Sequence, residues 1–92
     1  MARKHSDILD RITIDPAIMV GKPTVRGTRI PVELVLEQLS YDLDLNELFA
    51  AYPRLTREDV QACIAFAQRV LKTKRGRAAA EQEIAGAHRT AP

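Results

Sequence analysis

With 92 residues, 46% of them hydrophobic and 28% charged, the chain has room for one ordinary globular domain and not for two. A domain this size buries only about 60 to 65% of its unfolded surface, so a compact core is expected and a homodimer or higher oligomer would help it. The net charge of +2 is modest, and its distribution says more than its sum: residues 32–55 carry Glu33, Glu37, Asp42, Asp44 and Glu47 against Arg54 alone, whereas both ends are basic.

No apolar run approaches the roughly 20 residues needed to cross a bilayer, and the opening M-A-R-K-H-S-D lacks the apolar stretch of a signal peptide, so a cytoplasmic protein is expected. The single cysteine, Cys63, excludes an intramolecular disulfide and a cysteine-based metal site, and reads as a small buried hydrophobe.

Residues 8–15 alternate β-branched and polar side chains up to the turn dipeptide Asp15-Pro16, which predicts a short strand. Over 19–31, Gly21 and Gly27 bracket Pro23 and a second β-rich segment around Val25 and Thr28 to Ile30, predicting a small hairpin with both glycines at positions that tolerate positive φ. Two strands alone are marginal in water, so the ribbon must pack on helices or pair with a second subunit.

After Pro31, Val32, Val35, Leu36 and Leu39 recur at i, i+3, i+4, i+7 and predict a helix over 32–40. Asp44 with Glu47 reads as a capping box opening a short helix that carries Leu45, Leu48, Phe49 and Tyr52 and stops before Pro53. Thr56 caps a third helix, with Glu58 and Asp59 in its first turn and an inner stripe of Val60, Ile64, Ala67 and Leu71, Cys63 and Val70 beside it. The acids Glu33, Glu37, Glu47, Glu58 and Asp59 are expected on outward faces, as solubilising surface and caps.

The reading is thus a mostly α fold, a short N-terminal β-hairpin followed by a three-helix, helix-turn-helix-like bundle over residues 8–71. Residues 72–92 form a basic flexible or conditionally helical tail, Ala-rich but broken by Gly76 and Gly86 and expected to be mostly disordered when free.

Phosphate-binding, dinucleotide-binding and metalloprotease motifs and the C-x-x-C pattern are missing, and His5 and His88 lie in the terminal extensions, so no catalytic residue, metal or cofactor is expected. The outer face of the third helix instead carries Arg57, Gln61, Ala65, Gln68 and Lys72 at helical spacing. Arg and Gln read guanine and adenine edges in a major groove, and an alanine methyl can meet a thymine methyl. Lys74 and Arg75 would add phosphate contacts; the alternative is a merely solvated face.

The run D-P-A-I-M-V-G-K-P-T-V-R-G-T-R-I-P-V, Asp15 to Val32, resembles the signature of a bacterial family, domain of unknown function family 433, whose pattern is roughly D-P-x-I-x-x-G-K-P-x-I-x-G-T-R-I-P-V. The similarity continues through Y-D-L-D-L-N-E-L-F-A-A-Y-P-R-L-T-R-E-D-V-Q-A-C-I-A-F-A and covers about residues 11–69, leaving the tail outside. Asp42 stands where many members have glycine.

That resemblance implies a helix-turn-helix-like fold and a VapB-like antitoxin that sequesters a PIN-like ribonuclease toxin and binds its own promoter DNA. Since such toxins cluster carboxylates around a metal ion, an inserted arginine would oppose metal binding, with Arg75, Arg77 and Arg89 as candidates in the tail. Arg26 and Arg29, in the most distinctive run, either contact a partner or pair with Asp15 or an acidic helix terminus to fix the ribbon. A stand-alone DNA-binding regulator and a structural adaptor are the alternatives.

Overall fold

A computed structural model describes the chain over residues 5–90, with side chains described for residues 7–73 and 75–84. Ile8 and Ile12 are four residues apart, which on a helical path puts both on one face, and both are buried in the core. A first helical turn, α1 (His5–Ile8), runs into a 3₁₀ turn over Leu9–Arg11, and only Ile12–Thr13 is extended as β1. The strand expected over 8–15 is therefore shortened to two residues, because its isoleucine spacing serves a helical turn as well as an alternating strand.

β1 pairs antiparallel with β2 (Thr24–Val25), Ile12 opposite Val25 and Thr13 opposite Thr24. The other side of β2 meets Pro31 through a single bridge, with the Val25 N–H donating to the Ile30 carbonyl at 2.9 Å and the Val32 N–H to the Pro23 carbonyl at 2.9 Å. Thr28 to Ile30 thus flank β2 without forming a strand. The tip is a turn closed by the Thr28 N–H on the Val25 carbonyl at 3.0 Å, with Gly27 third at φ 79°, a conformation that costs a side chain heavily. Upstream, Met19, Val20 and Gly21 are all left-handed (φ 50°, 57° and 78°), and Val20 is 93% exposed.

Helix α2 (Val32–Tyr41) starts directly after Pro31 and buries Val32, Val35 and Leu39 on one face. Asp42 follows in extended backbone, φ −153°, where no glycine is needed, and its Oδ1 accepts the Asp44 N–H at 2.9 Å. Asp44 caps α3 (Leu45–Ala51) by accepting the Asn46 N–H at 2.9 Å. No reciprocal bond from Glu47 forms among the described residues, so this end is singly capped and not the expected box.

The box forms at α4 (Arg57–Lys72): Thr56 Oγ1 accepts the Asp59 N–H at 3.1 Å, and Asp59 Oδ2 accepts the Thr56 N–H at 3.0 Å. Asp59 is buried, which corrects its expected outward position. The inner stripe is rotated as well: Asp59, Val60, Ala62, Cys63 and Ala65 are buried, whereas Ile64 and Leu71 are about half exposed. The elements packed on α4 include α1, the 3₁₀ turn, β1 and α2, and burial stops near Ala65 on that surface, leaving the last two turns of α4 largely uncovered.

Where a mostly disordered tail is expected, residues 74–90 form α5 (Lys74–Thr90), a run rich in helix-favouring alanine. Only Thr73, extended at φ −74° and ψ 146°, separates α4 from α5. Its Oγ1 donates to the Val70 carbonyl at 2.7 Å and accepts the Gly76 N–H at 3.0 Å, so one hydroxyl closes α4 and opens α5. A Cβ at Gly76 would lie 2.3 Å from the Val70 carbonyl oxygen, so this corner requires glycine.

Candidate nucleic-acid interface

α3 and α4 are joined by Tyr52 to Thr56, a turn closed by the Leu55 N–H on the Tyr52 carbonyl at 3.0 Å and anchored by the buried Leu55. Arg57 opens α4, and the positions four, seven, eleven and fifteen residues on are Gln61, Ile64, Gln68 and Lys72, one face by helical spacing. All five are exposed, Ile64 at 52%. Ala65 is 4% exposed and drops out of the proposed reading surface, because at its position the helix meets the core. Ile64 takes its place as the apolar side chain of that face, and the sequence reading missed it by assigning an isoleucine to the interior.

Electrostatics decide which face could meet a phosphate backbone. Glu33, Glu37, Asp42, Asp44 and Glu47 are all exposed along α2 and α3, so that side repels a polyanion. Arg54, Arg57, Arg69 and Lys72 are exposed along the turn and α4, with Glu58 the exposed acid among them. Arg75 and Arg77 are exposed at the start of α5; the side chains of Lys74 and Arg89 lie outside the described residues.

Arg26 and Arg29 are exposed on the ribbon, and neither forms an ion pair with Asp15 or a helix terminus among the described residues. The arginine that does lock the ribbon is Arg11. Its Nη1 lies 3.1 Å from Asp59 Oδ1, and its carbonyl accepts the Arg26 N–H at 2.7 Å. Asp7, Asp10 and Arg26 line the polar cleft around this pair. An arginine before the signature run and an acid 48 residues later carry no joint signal in a single sequence.

The model of the protein family of unknown function DUF433 matches residues 12–67. The chain belongs to the DUF433 family. The matched DUF433 segment contains the ribbon, α2, α3 and the first eleven residues of α4, and ends before α5. An uncharacterized protein of Archaeoglobus fulgidus is 52% identical over 25 residues, which make up 27% of this chain and 69% of that relative. No solved structure matches the chain. No helix among the described residues is long and apolar enough to cross a membrane.

Proposed function

We propose that this DUF433 member is an antitoxin that acts by binding and not by catalysis, reading promoter DNA with α4 and neutralising a PIN-like ribonuclease with arginines outside that helix. The observation that carries the DNA half is the exposed face Arg57, Gln61, Ile64, Gln68 and Lys72 on a helix introduced by a short helix and turn. In a major groove Arg57 would meet guanine O6 and N7, Gln61 adenine N6 and N7, and Ile64 a thymine methyl, each good bidentate contact contributing about 1 to 3 kcal/mol of base discrimination.

For the toxin half, the guanidinium groups of Arg75 and Arg77 on α5, or Arg26 and Arg29 on the ribbon, are exposed and able to enter a carboxylate-lined site. A stand-alone regulator is the second reading, favoured by the DNA face lying wholly on α4 and needing nothing from α5.

Fluorescence anisotropy of the full chain with labelled DNA from upstream of its own gene tests the DNA half. Gln61→Ala and Ile64→Ala should relax sequence preference, and equal binding to scrambled DNA by the unaltered chain would overturn it. Co-purification with the product of the adjoining gene separates antitoxin from stand-alone regulator.

A further inference from the structure

The chain exposes 7152 Å². A compact monomer of its mass would expose only about 5,400 Å². Its Cα radius of gyration is 14.7 Å. A compact chain of this length would have about 12 Å. The excess of about 1,800 Å² exceeds the roughly 800 Å² that each partner contributes to a stable dimer. α5 is a long helix whose described side chains are almost all exposed. Helices of this length hold together mainly through an apolar face packed on something else.

An unfilled apolar surface lies beside it. Leu36 of α2 and Phe66, Val70 and Leu71 of α4 wall an open groove of about 520 Å³, with Lys22 and Glu33 among its lining and ion-paired at 2.7 Å. α5 carries one large apolar side chain, Ile84, 59% exposed, and helical spacing places Arg77, Ala80 and Glu81 on the same face. That face looks across an open cleft of about 440 Å³ at Gln68, Leu71 and Lys72 of its own α4, so the Thr73 and Gly76 corner sets the two helices apart and leaves the groove unfilled by its own chain.

We propose that the groove is filled by α5 of a second copy of the chain, the two copies exchanging helices about a two-fold axis. Ala80 and Ile84 of the second copy lie on Leu36, Phe66, Val70 and Leu71. Glu81 and Arg77 of that copy meet Lys22 and Glu33, acid against base in both places. The exchange is isologous, so each copy gives one helix and receives one. It leaves Arg75, on the opposite side of α5 from Ile84, and the Arg57, Gln61 and Ile64 part of the α4 face clear of the cleft that Gln68 and Lys72 share with α5, and it stands whether or not the chain binds DNA or a toxin.

Sedimentation equilibrium of the full chain at tens of micromolar should give twice the 10.3 kDa of one chain. Ile84→Asp, at an exposed position that leaves the fold intact by circular dichroism, should weaken the dimer about tenfold or more. Glu81→Lys should also weaken it, and Lys22→Glu in the same chain should restore it. A Leu36→Cys, Ile84→Cys variant should oxidise to a disulfide-linked dimer. Monomer throughout, a dimer untouched by Ile84→Asp, or a crosslink formed within one chain would each overturn the proposal.

Discussion

Arg11 and Asp59 are 48 residues apart in sequence and 3.1 Å apart in space, and the carboxylate that meets the guanidinium is the same one that caps α4. The Asp59 side chain is 10% exposed and that of Arg11 34%. One oxygen therefore holds the N-terminal segment to the helix while the other closes the helix end. Asp59→Ala removes both bonds and strands a partly buried guanidinium, at a cost of about 2 to 3 kcal/mol after allowance for the exposure of Arg11. Arg11→Ala should cost less, and a double-mutant cycle by chemical denaturation should show the two losses to be non-additive. Additive losses would mean that the ion pair contributes nothing.

Thr56→Ala tests the other half of the box alone. The hydroxyl accepts one N–H and has no role at Arg11, so the expected loss is about 1 kcal/mol. A melting shift of several degrees, smaller than that of Asp59→Ala, is the anticipated result.

Burial, with a smaller contribution from the Asp59 carboxylate, raises the Cys63 thiol from 9.0 to about 12. Between those values the folded chain keeps a proton that the unfolded chain has released, so this contribution to stability is complete below pH 9 and is lost as pH rises towards 12. Denaturation midpoints for the unaltered chain and Cys63→Ala should therefore converge across that window, even if the alanine variant starts lower through its cavity. Parallel curves would assign the alkaline loss to other groups.

Val20 is β-branched, left-handed and 93% exposed, so it accepts backbone strain and returns no packing. Val20→Asn, which tolerates that conformation, should stabilise the chain by about 1 kcal/mol. An unchanged melting temperature would show that the turn relaxes at no cost.

Lys72→Ala should lower the slope of log affinity against log salt for promoter DNA by about 0.9, whereas Gln61→Ala should leave it unchanged. If both variants shift the slope equally, Gln61 is a phosphate contact and not a base reader.

Gly76→Ala adds a Cβ 2.3 Å from the Val70 carbonyl oxygen while favouring helix by about 1 kcal/mol. Helical content should hold or rise while the angle between α4 and α5 opens, which small-angle scattering would register as altered dimensions. An identical scattering profile would mean that the corner yields elsewhere.

The helices α2, α3 and α4 were legible from apolar spacing, and the positive φ of Gly21 and Gly27 from their setting among prolines and β-branched residues. Thr56 was legible as a cap, and the acid three residues on was the available sign of a box, but that acid's burial depended on Arg11, which only the fold brings near. The rotation of α4 was hidden for a related reason. Ala62 and Ala65 are small enough to sit on either surface, and which neighbours cover a helix is decided by its packing and not by its own pattern. Isoleucine at 64 looked interior by type, yet it is 52% exposed, and no described residue packs over that turn to bury it. The exposed arginines were candidates by composition alone, and their places relative to the core are set by the packing of the helices.

The ribbon has a consequence for how copies of this protein can meet. β1 and β2 pair over only two residues, and the flank beyond β2 runs through Pro31, which has no N–H to offer an incoming strand. An edge so short and interrupted is a poor template for edge-to-edge growth, so a chain unfolding at its ends would not seed sheet-like aggregates from this side. The ribbon's own exposed apolar side chains, Ile14 and Val20, stand singly, whereas the helical half carries a continuous apolar groove.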